Sequence, residues 1–470
     1  MEKVVSLLSE KLPFAILFAA CLAVSVESVP LALKLGFKAY AAEIGLSSFH
    51  PILVDPSGKF SLGFLRLDFG KLTVAVIHLP SSSSLWQPPL SFSSRANVVF
   101  DGDFVISDPS TASFWSTRTS GDRVSLRNNS NLVVERDGVS VWESFGVPGN
   151  TIVESQIFLA NMTLHSSNGL YSLKLGETYM AMFATFNPGR QQMYWKHYAL
   201  EAKAKIVPRN GAVFAVIQPE GFLGMYQTGT EPPVDVQPFN SYNRLVDGFK
   251  IARLEPDGNF KGYSWDGSQW VLEYQAVSSL CELPNPCGFY GLCRPNPGSG
   301  SCSCLDNRTD FASGSCTKES AAGNFCRGEQ FETLRIKGVE LPFKELMTSE
   351  TAPSQEGCEG KCQRDCACWA AVYSNTSGLC FLVDYPTRTM LAAGDLGKAG
   401  FFKVKKHRGR RTAAGLGVGL AVLSVAVVSF VAAVGFAGYK IWVGRSRREG
   451  EVVRPLPTRY KNPGSFHISS

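Results

Sequence analysis

The sequence predicts a mostly β, multidomain protein that carries a single membrane-spanning helix. Over residues 29–278, short apolar runs of strand length are separated by Gly, Asp, Asn and Ser turns, which is typical of all-β domains. Twelve of the thirteen cysteines fall within residues 281–380, a clustering typical of disulfide-stapled modules. Residues 412–439 carry no charge and are rich in Gly, Ala and Val. We therefore predict two β domains, a disulfide-rich region and one transmembrane helix.

The two ends of the chain predict that it enters the secretory pathway and how it is oriented in the membrane. Lys3 and Lys11 precede an uncharged apolar run that closes in small residues near Ser28, which indicates a secretory signal peptide over residues 1–28. As a helix at 1.5 Å per residue, residues 412–439 would be about 42 Å long, which exceeds the hydrocarbon core of roughly 30 Å. Basic residues flank this segment almost equally, so the signal peptide decides the orientation. We predict type I topology, with residues 440–470 forming a cytoplasmic tail too short for a kinase.

The net charge of +6 does not describe the folded body. Residues 405–411 and 440–470 each contribute +5 and the signal peptide contributes −1, which leaves about −3 for residues 29–404. A nucleic-acid partner would require a basic face on that body, so we expect none. The basic clusters beside the membrane segment are explained by attraction to anionic lipid headgroups.

The clustered cysteines form two blocks of six. The first block, in residues 279–318, comprises Cys281, Cys287, Cys293, Cys302, Cys304 and Cys316, and the second, in residues 322–404, comprises Cys326, Cys358, Cys362, Cys366, Cys368 and Cys380. An even number of cysteines in a translocated chain predicts disulfides, but spacing alone leaves their pairing open. Zinc is the alternative ligand for clustered thiols. The oxidising compartment disfavours it, so we expect no metal.

Local signals add a helix and four candidate glycosylation sites. Ser354 is a candidate N-cap for a short helix, and Cys358, Cys362 and Cys366 recur every four residues, so the sequence predicts that they share one helix face. The Asn-x-Ser/Thr triplets for N-glycosylation lie at Asn128, Asn161, Asn307 and Asn375.

Several short stretches follow one another in a diagnostic order. They are Ser61-Leu62-Gly63-Phe64, Asn131-Leu132-Val133, Val141-Trp142-Glu143-Ser144-Phe145, Asp257-Gly258-Asn259-Phe260, Tyr263-Ser264-Trp265, Cys287-Gly288-Phe289-Tyr290-Gly291-Leu292-Cys293, and Gly357-Cys358 with Cys362, Cys366 and Cys368. In this order the chain resembles the ectodomain of the plant S-domain (G-type lectin) receptor family, and in particular its kinase-less, PAN-domain, lectin-like membrane proteins. The resemblance covers nearly all of residues 29–404.

The resemblance implies a domain order and a disulfide pairing. It implies tandem bulb-lectin-like β domains at residues 29–155 and 156–278, the second of them S-locus-glycoprotein-like. An EGF-like module at 279–318 and an α+β PAN/apple module at 322–404 would follow. The implied pairs are Cys281–Cys293, Cys287–Cys302, Cys304–Cys316, Cys326–Cys366, Cys358–Cys380 and Cys362–Cys368.

The sugar-binding motif of the bulb lectins is degenerate in this chain. The family motif is Gln-x-Asp-x-Asn-x-Val-x-Tyr, in which amide, carboxylate and hydroxyl groups converge on sugar hydroxyls. The best match consists of Arg127, Asn129, Asn131, Val133 and Glu135, of which two keep the family residue. A second candidate, beginning at Val99, keeps Asp101 and Val105 at the motif's Asp and Val positions. We interpret both as structural strands and predict poor mannose binding.

The chemistry of the chain favours recognition over catalysis. The six histidines are scattered, and no nucleophile elbow or phosphate loop occurs, so we expect neither an enzyme nor a cofactor. The leading hypothesis is a type I plasma-membrane glycoprotein that binds an extracellular peptide, protein or glycan and signals through a partner such as a kinase-bearing receptor. The alternatives are an adhesive cell-wall glycoprotein without signalling and, less favoured, an ectoenzyme.

The Gly415-x-x-x-Gly419 pair of the membrane segment is a weak signal for helix dimerisation.

Overall fold

The computed structural model describes residues 29–448, except 69, 188, 200–210, 228–232, 240–247, 298, 306–309, 313–314, 318–324, 329 and 406–413. The predicted signal peptide, the sequon at Asn307 and the tail beyond residue 448 lie outside the described residues. The chain divides into two compact units, residues 1–404 and 405–470, which are treated separately below.

The first domain is a three-sided β prism. Its twelve strands are β1 (Ala32–Lys34), β2 (Phe37–Tyr40), β3 (Phe49–Val54), β4 (Phe60–Asp68), β5 (Lys71–His78), β6 (Ser83–Trp86), β7 (Asn97–Phe100), β8 (Phe104–Asp108), β9 (Ser113–Ser116), β10 (Arg123–Leu126), β11 (Leu132–Arg136) and β12 (Val139–Glu143). They form three four-stranded antiparallel sheets, β1-β10-β11-β12, β2-β7-β8-β9 and β3-β4-β5-β6. Side chains from all three sheets share one apolar core.

Alternating burial explains why these segments form strands. Val98 and Phe100 on β7 and Phe104 and Ile106 on β8 are fully buried, and the residues between them are partly exposed. Such a period of two puts one face of a strand on the core and the other towards solvent. Gly102, in the hairpin between the two strands, has φ +92°, a conformation that favours glycine. The predicted Asp-Gly turn is therefore confirmed here.

The second domain repeats the topology of the first. Its strands are β13 (Thr151–Val153), β14 (Ile157–Phe158), β15 (Thr163–His165), β16 (Tyr171–Leu175), β17 (Tyr179–Asn187), β18 (Arg190–Tyr198), β19 (Val213–Gln218), β20 (Phe222–Gln227), β21 (Asp235–Pro238), β22 (Lys250–Leu254), β23 (Phe260–Trp265) and β24 (Trp270–Gln275). The sheets are β13-β22-β23-β24, β14-β19-β20-β21 and β15-β16-β17-β18. Adding twelve to every strand number of the first prism gives this arrangement, so the two domains are topological repeats.

The boundary between the prisms lies earlier than the sequence indicates. β13 falls inside the range 29–155 that the sequence analysis assigns to the first domain, yet it pairs with β22 of the second prism. Sheet membership therefore changes between Glu143 and Thr151. A three-residue apolar strand gives no sequence signal of which distant strand it will join, so the pattern alone could not place this boundary.

The two prisms pack through an aromatic cluster. Trp270 donates its indole N–H to Ser83 Oγ at 2.9 Å, and its ring lies 5.7 Å from that of His78 and 5.5 Å from that of Trp265. His78 is almost fully buried in this cluster, and burial together with the Lys59 charge lowers its pKa. The interface therefore joins the domains through ring packing around a histidine whose pKa is lowered by burial.

The cysteine-rich region forms two small modules. Its strands are β25 (Gly291–Asn296), β26 (Ser299–Cys304), β27 (Asp310–Ala312), β28 (Ser315–Thr317), β29 (Phe331–Lys337), β30 (Val339–Glu340), β31 (Glu350–Thr351), β32 (Ala370–Ser374), β33 (Leu379–Val383), β34 (Met390–Ala392) and β35 (Lys398–Lys405). The strands form a pair β27-β28, a five-stranded sheet β29-β35-β32-β33-β31, and a sheet β26-β25-β34-β30 that joins both modules.

One short helix covers the five-stranded sheet. Helix α1 (Gln355–Arg364) begins where the Ser354 hydroxyl accepts a hydrogen bond from the Gly357 N–H at 3.2 Å, so the predicted N-cap is confirmed. Its buried Cys358 and Cys362 pack on the sheet. The prediction that Cys366 shares this helix face is wrong, because α1 ends at Arg364 and Cys366 lies in the exposed turn that follows.

The second unit contains a long apolar helix. Helix α2 (Ala414–Arg448) includes Leu423–Arg445, which is long and apolar enough to cross a membrane. The helix continues beyond residue 439, where the sequence analysis ends the transmembrane segment, because uncharged composition marks the lipid-compatible stretch and not the end of helical backbone.

Candidate functional site

The structure brings the degenerate sugar motif together at the turn between β10 and β11. Val133 is fully buried, and Asn131 is only 2% exposed. The Asn131 amide donates to Glu143 Oε2 at 2.9 Å, and its oxygen accepts from Ser144 Oγ at 3.1 Å and from the Phe145 N–H at 3.2 Å. Asn131 thus ties the chain after β12 to the turn before β11.

Of the remaining motif residues, Arg127 and Asn129 lie on exposed positions of the same turn, and Glu135 lies further along β11. Asn129 accepts from the Asn131 N–H at 3.2 Å, and Arg127 lies 3.7 Å from a carboxylate oxygen of Glu143. Glu135 faces Arg123 at 3.8 Å. Arg127 and Glu135 thus face charged partners outside the motif, and Glu135 and Arg127 lie at opposite ends of the β10–β11 hairpin.

The topological repeat reveals a matching set in the second prism. Glu255, Asp257, Asn259, Lys261 and Tyr263 occupy the corresponding turn between β22 and β23. The sequence analysis missed this set as a possible site, although the alternate spacing of its residues was a usable signal. Three of its five residues, Asp257, Asn259 and Tyr263, match the family motif given above.

This second set is also bonded internally. The Tyr263 hydroxyl donates to Glu255 at 2.8 Å, and burial together with that carboxylate raises the pKa of Tyr263. The Lys261 ammonium donates to Asp257 at 2.8 Å. Asn259 donates to the Val277 carbonyl at 2.7 Å and accepts from its N–H at 3.0 Å. Both prisms therefore use an asparagine at this position to hold the chain after their last strand.

Replacing Asn131 should cost stability and leave mannose binding unchanged. Asn131→Ala leaves the Phe145 N–H and the buried Ser144 hydroxyl without this acceptor, which we expect to cost about 1–3 kcal/mol in the free energy of unfolding. Chemical denaturation measures this cost, and a glycan array on deglycosylated protein measures sugar binding. Asn129→Ala, at an exposed position, is the control. Saturable mannose binding that Asn131→Ala abolishes would contradict the structural role.

All twelve cysteines of the two blocks are paired in the structure. The pairs are Cys281–Cys293, Cys287–Cys302, Cys304–Cys316, Cys326–Cys366, Cys358–Cys380 and Cys362–Cys368, which are those that the family resemblance implies. The sulfurs of Cys287, Cys293 and Cys302 lie within 4.8 Å of one another. Each of them is in a disulfide, so this group has no thiolate to offer a metal.

The sequons that the structure describes lie on exposed turns. Asn128 precedes β11, Asn161 precedes β15, and Asn375 lies in the hairpin between β32 and β33. All three side chains are accessible to a glycosylating enzyme. Ser377, which completes the Asn375 triplet, also lines the cavity described next.

A cavity of about 300 Å³ opens on the PAN/apple module. Its floor is apolar, with Leu341, Val372 and Phe381 nearly buried and Met347 and Leu379 half-buried. This volume lies at the lower end of the range for small-ligand pockets, roughly 300–1,000 Å³. The cavity can therefore take one apolar group of a few carbon atoms.

A charged cluster lines one side of the cavity. The Glu340 carboxylate accepts hydrogen bonds from the Lys344 ammonium and, at 2.7 Å, from the Lys398 ammonium. Burial alone would raise the pKa of Glu340, but these two hydrogen bonds outweigh it and lower the pKa. An ammonium group has three donors, so both lysines keep N–H groups for a ligand. No sequence pattern predicts this cavity, since its walls come from segments far apart in the chain.

Comparisons with known proteins identify two family domains in this chain. A model of the S-locus glycoprotein domain matches residues 237–308, and a model of the PAN domain matches residues 326–400. The PAN domain-containing protein At5g03700 of Arabidopsis thaliana is 46% identical over 458 residues, covering 95% of this chain and 92% of that protein.

More distant matches are receptor-like kinases and a lectin. The G-type lectin S-receptor-like serine/threonine-protein kinase At5g35370 of Arabidopsis thaliana is 28% identical over 333 residues, which is 66% of this chain and 37% of the kinase. The chain thus spans less than half the length of such kinases. Among solved structures, a Japanese Marasmius oreades lectin covers 27% of this chain and 89% of its own, with 16% identity and a TM-score of 0.20.

The fold, the disulfides and the domain matches define a cell-surface, lectin-like protein of the receptor-like class, with one apolar helix that fits a single membrane span. Within that class the chain belongs to the plant S-domain family, on the strength of its similarity to the PAN domain-containing protein of Arabidopsis thaliana over nearly the full length of both.

Proposed function

We propose that this protein is a non-catalytic recognition protein or co-receptor of the plasma membrane, of type I topology, which binds an extracellular peptide and acts through a kinase-bearing partner. The observation that carries the proposal is the cavity of the PAN/apple module, with its apolar floor and the Glu340, Lys344 and Lys398 cluster. An apolar cavity favours a peptide side chain over a glycan, because sugar hydroxyls buried there would lack partners.

The relatives support the class of function. The kinases that this chain resembles match it over part of their own length, which is 37% of the kinase in the case above. A chain that shares the recognition region would reach a kinase through association. We propose accordingly that the four sequons are glycosylated and that the predicted signal peptide directs residues 29–404 to the outside.

Filling the cavity should abolish ligand-dependent partner association. Ser374 lines the cavity, so Ser374→Trp would occupy it with an indole. Full-length protein with a proximity-labelling enzyme on its C-terminus, expressed in plant cells, should label kinase-bearing receptors, and Ser374→Trp should reduce that labelling at least tenfold. Thr348→Trp, at an exposed neighbouring position, is the matched control.

The same experiment distinguishes the co-receptor function from the adhesive alternative. The absence of any kinase-bearing receptor among the labelled proteins of wild type and control would contradict the co-receptor function and favour adhesion. Equal labelling of kinases by wild type and Ser374→Trp would keep the co-receptor function but exclude this cavity as its ligand site.

A further inference from the structure

One face of the second prism carries aromatic rings and lysines with no carboxylate among them. It is the outer face of the sheet β15-β16-β17-β18. Cross-strand pairing places Lys174, Ala181 and Lys196 in one row, and Tyr179 and Tyr198 in the next. Because neighbouring strands are 4.7–4.9 Å apart, the two lysines start about 10 Å from each other.

The lysines of this face are held by rings and not by acids. The Lys196 ammonium lies 4.1 Å from the ring centre of Tyr179 and 4.2 Å from that of Tyr198. Lys174 lies 5.4 Å from the ring centre of Phe183 and donates to Gln191 at 2.9 Å. In the part of the chain that the structure describes, neither lysine forms an ion pair. Both charges are therefore available to an anionic ligand.

The face is also accessible to solvent. Tyr198 is 59% exposed, and Lys174, Lys196, Tyr179 and Phe183 are partly exposed. This positive face stands out on a body whose sequence carries about −3 over residues 29–404. Glu177, the acidic residue of the turn before β17, pairs with neither lysine.

We propose that this face binds an anionic polysaccharide, a chain of uronic-acid sugars, and so contacts the wall outside the cell. Lysines about two strands apart match carboxylates repeated along an extended polymer, and exposed aromatic rings stack on the C–H faces of sugars. An acidic peptide would satisfy the charges equally well but would not use the rings. This binding is independent of the cavity in the PAN/apple module.

Polygalacturonate is the probe that tests the face. Full-length protein in neutral-detergent micelles, immobilised by a C-terminal tag, would be titrated with polygalacturonate, with its methyl-esterified, uncharged form, and with polyglutamate. We expect binding of the acidic polysaccharide that weakens with salt, little binding of the ester, and weaker binding of polyglutamate. The basic run 405–411 is common to all variants, so its contribution cancels.

Three variants give the decisive comparison. Lys174→Gln with Lys196→Gln should weaken polygalacturonate binding about 2- to 30-fold, given the usual range for exposed ion pairs. Tyr179→Ala with Tyr198→Ala should also weaken it, although the net charge is unchanged. Lys34→Gln with Lys38→Gln, on exposed positions of the first prism, should leave it unchanged.

Three results would overturn the proposal. Polyglutamate binding as tight as that of polygalacturonate, with no effect of the tyrosine pair, would show an acidic-peptide or purely ionic surface. Equal losses for the two lysine pairs would show general attraction of a polyanion. Enzymatic removal of a glycan at Asn161, which lies at the edge of the same sheet, should not lower the affinity, and a loss on removal would also count against the face.

Discussion

Removing the Cys358–Cys380 disulfide should destabilise the PAN/apple module by about 3–5 kcal/mol. The bond closes a separation of 22 residues, and both cysteines are fully buried between α1 and the sheet. Replacing both by alanine therefore loses the restraint on the unfolded chain and the packing of two sulfurs. Hydrogen exchange of the α1 and β32 amides, measured on the non-reduced protein, reports the local free energy of opening.

The other two disulfides of the module serve as controls. Cys362–Cys368 closes a separation of 6 residues, for which chain entropy alone gives about 2 kcal/mol. Cys326–Cys366 closes 40 residues but lies on exposed turns, so its loss removes restraint and little packing. The cysteines of both bonds are buried, so if removing Cys362–Cys368 cost more than removing Cys358–Cys380, the explanation from chain restraint would be wrong.

Replacing Arg388 with alanine should cost about 2–4 kcal/mol, whereas methionine should be tolerated. The Arg388 guanidinium lies 3.9 Å from the ring centre of Phe289 in the EGF-like module and 5.0 Å from that of Phe186 in the second prism. Burial lowers the pKa of Arg388, and its Nε is buried without a hydrogen-bond partner in the described structure. The side chain thus joins three modules by stacking, and it forms no ion pair with any residue that the structure describes.

Comparing the two variants distinguishes the contribution of the apolar contact from that of the charge. Arg388→Met keeps most of the apolar contact and removes the poorly solvated charge, so its unfolding midpoint in guanidinium should lie close to wild type. Arg388→Ala leaves a void between Phe186 and Phe289. If both variants lost equal stability, the charge itself would be the stabilising element, through its interaction with the ring faces.

The sequence predicted features that are local in the chain. The Ser354 cap and the Asp101-Gly102 turn depend on neighbours a few residues away, and backbone geometry fixes what those residues can do. The mostly β fold class and the apolar helix follow likewise from composition and periodicity. Cys366 shows the limit: a recurrence of four residues predicts a shared helix face only as far as the helix extends.

Features built from distant segments were not predictable in the same way. The repeat of prism topology depends on which strands pair, and β13 reaches β22 across nearly the whole second domain. The cavity depends on Glu340 meeting Lys398, and the basic aromatic face depends on the register between β16, β17 and β18. A hydrophobic pattern specifies that a strand has a buried face, but it does not name the partner strand.

The interleaved pairing fixes an order of events during synthesis. Ala32 pairs with Ser125 and Thr151 pairs with Arg253, so each prism can close only when its last sheet has left the ribosome. Both prisms are complete before the paired cysteines follow. In the cysteine-rich region, Leu292 pairs with Met390, so the sheet that contains β25 is complete only after most of the PAN/apple module has been synthesised. The disulfides join cysteines 6 to 40 residues apart, so the partners of each bond emerge close together, whereas the sheet that joins the two modules forms only after most of both modules has been synthesised.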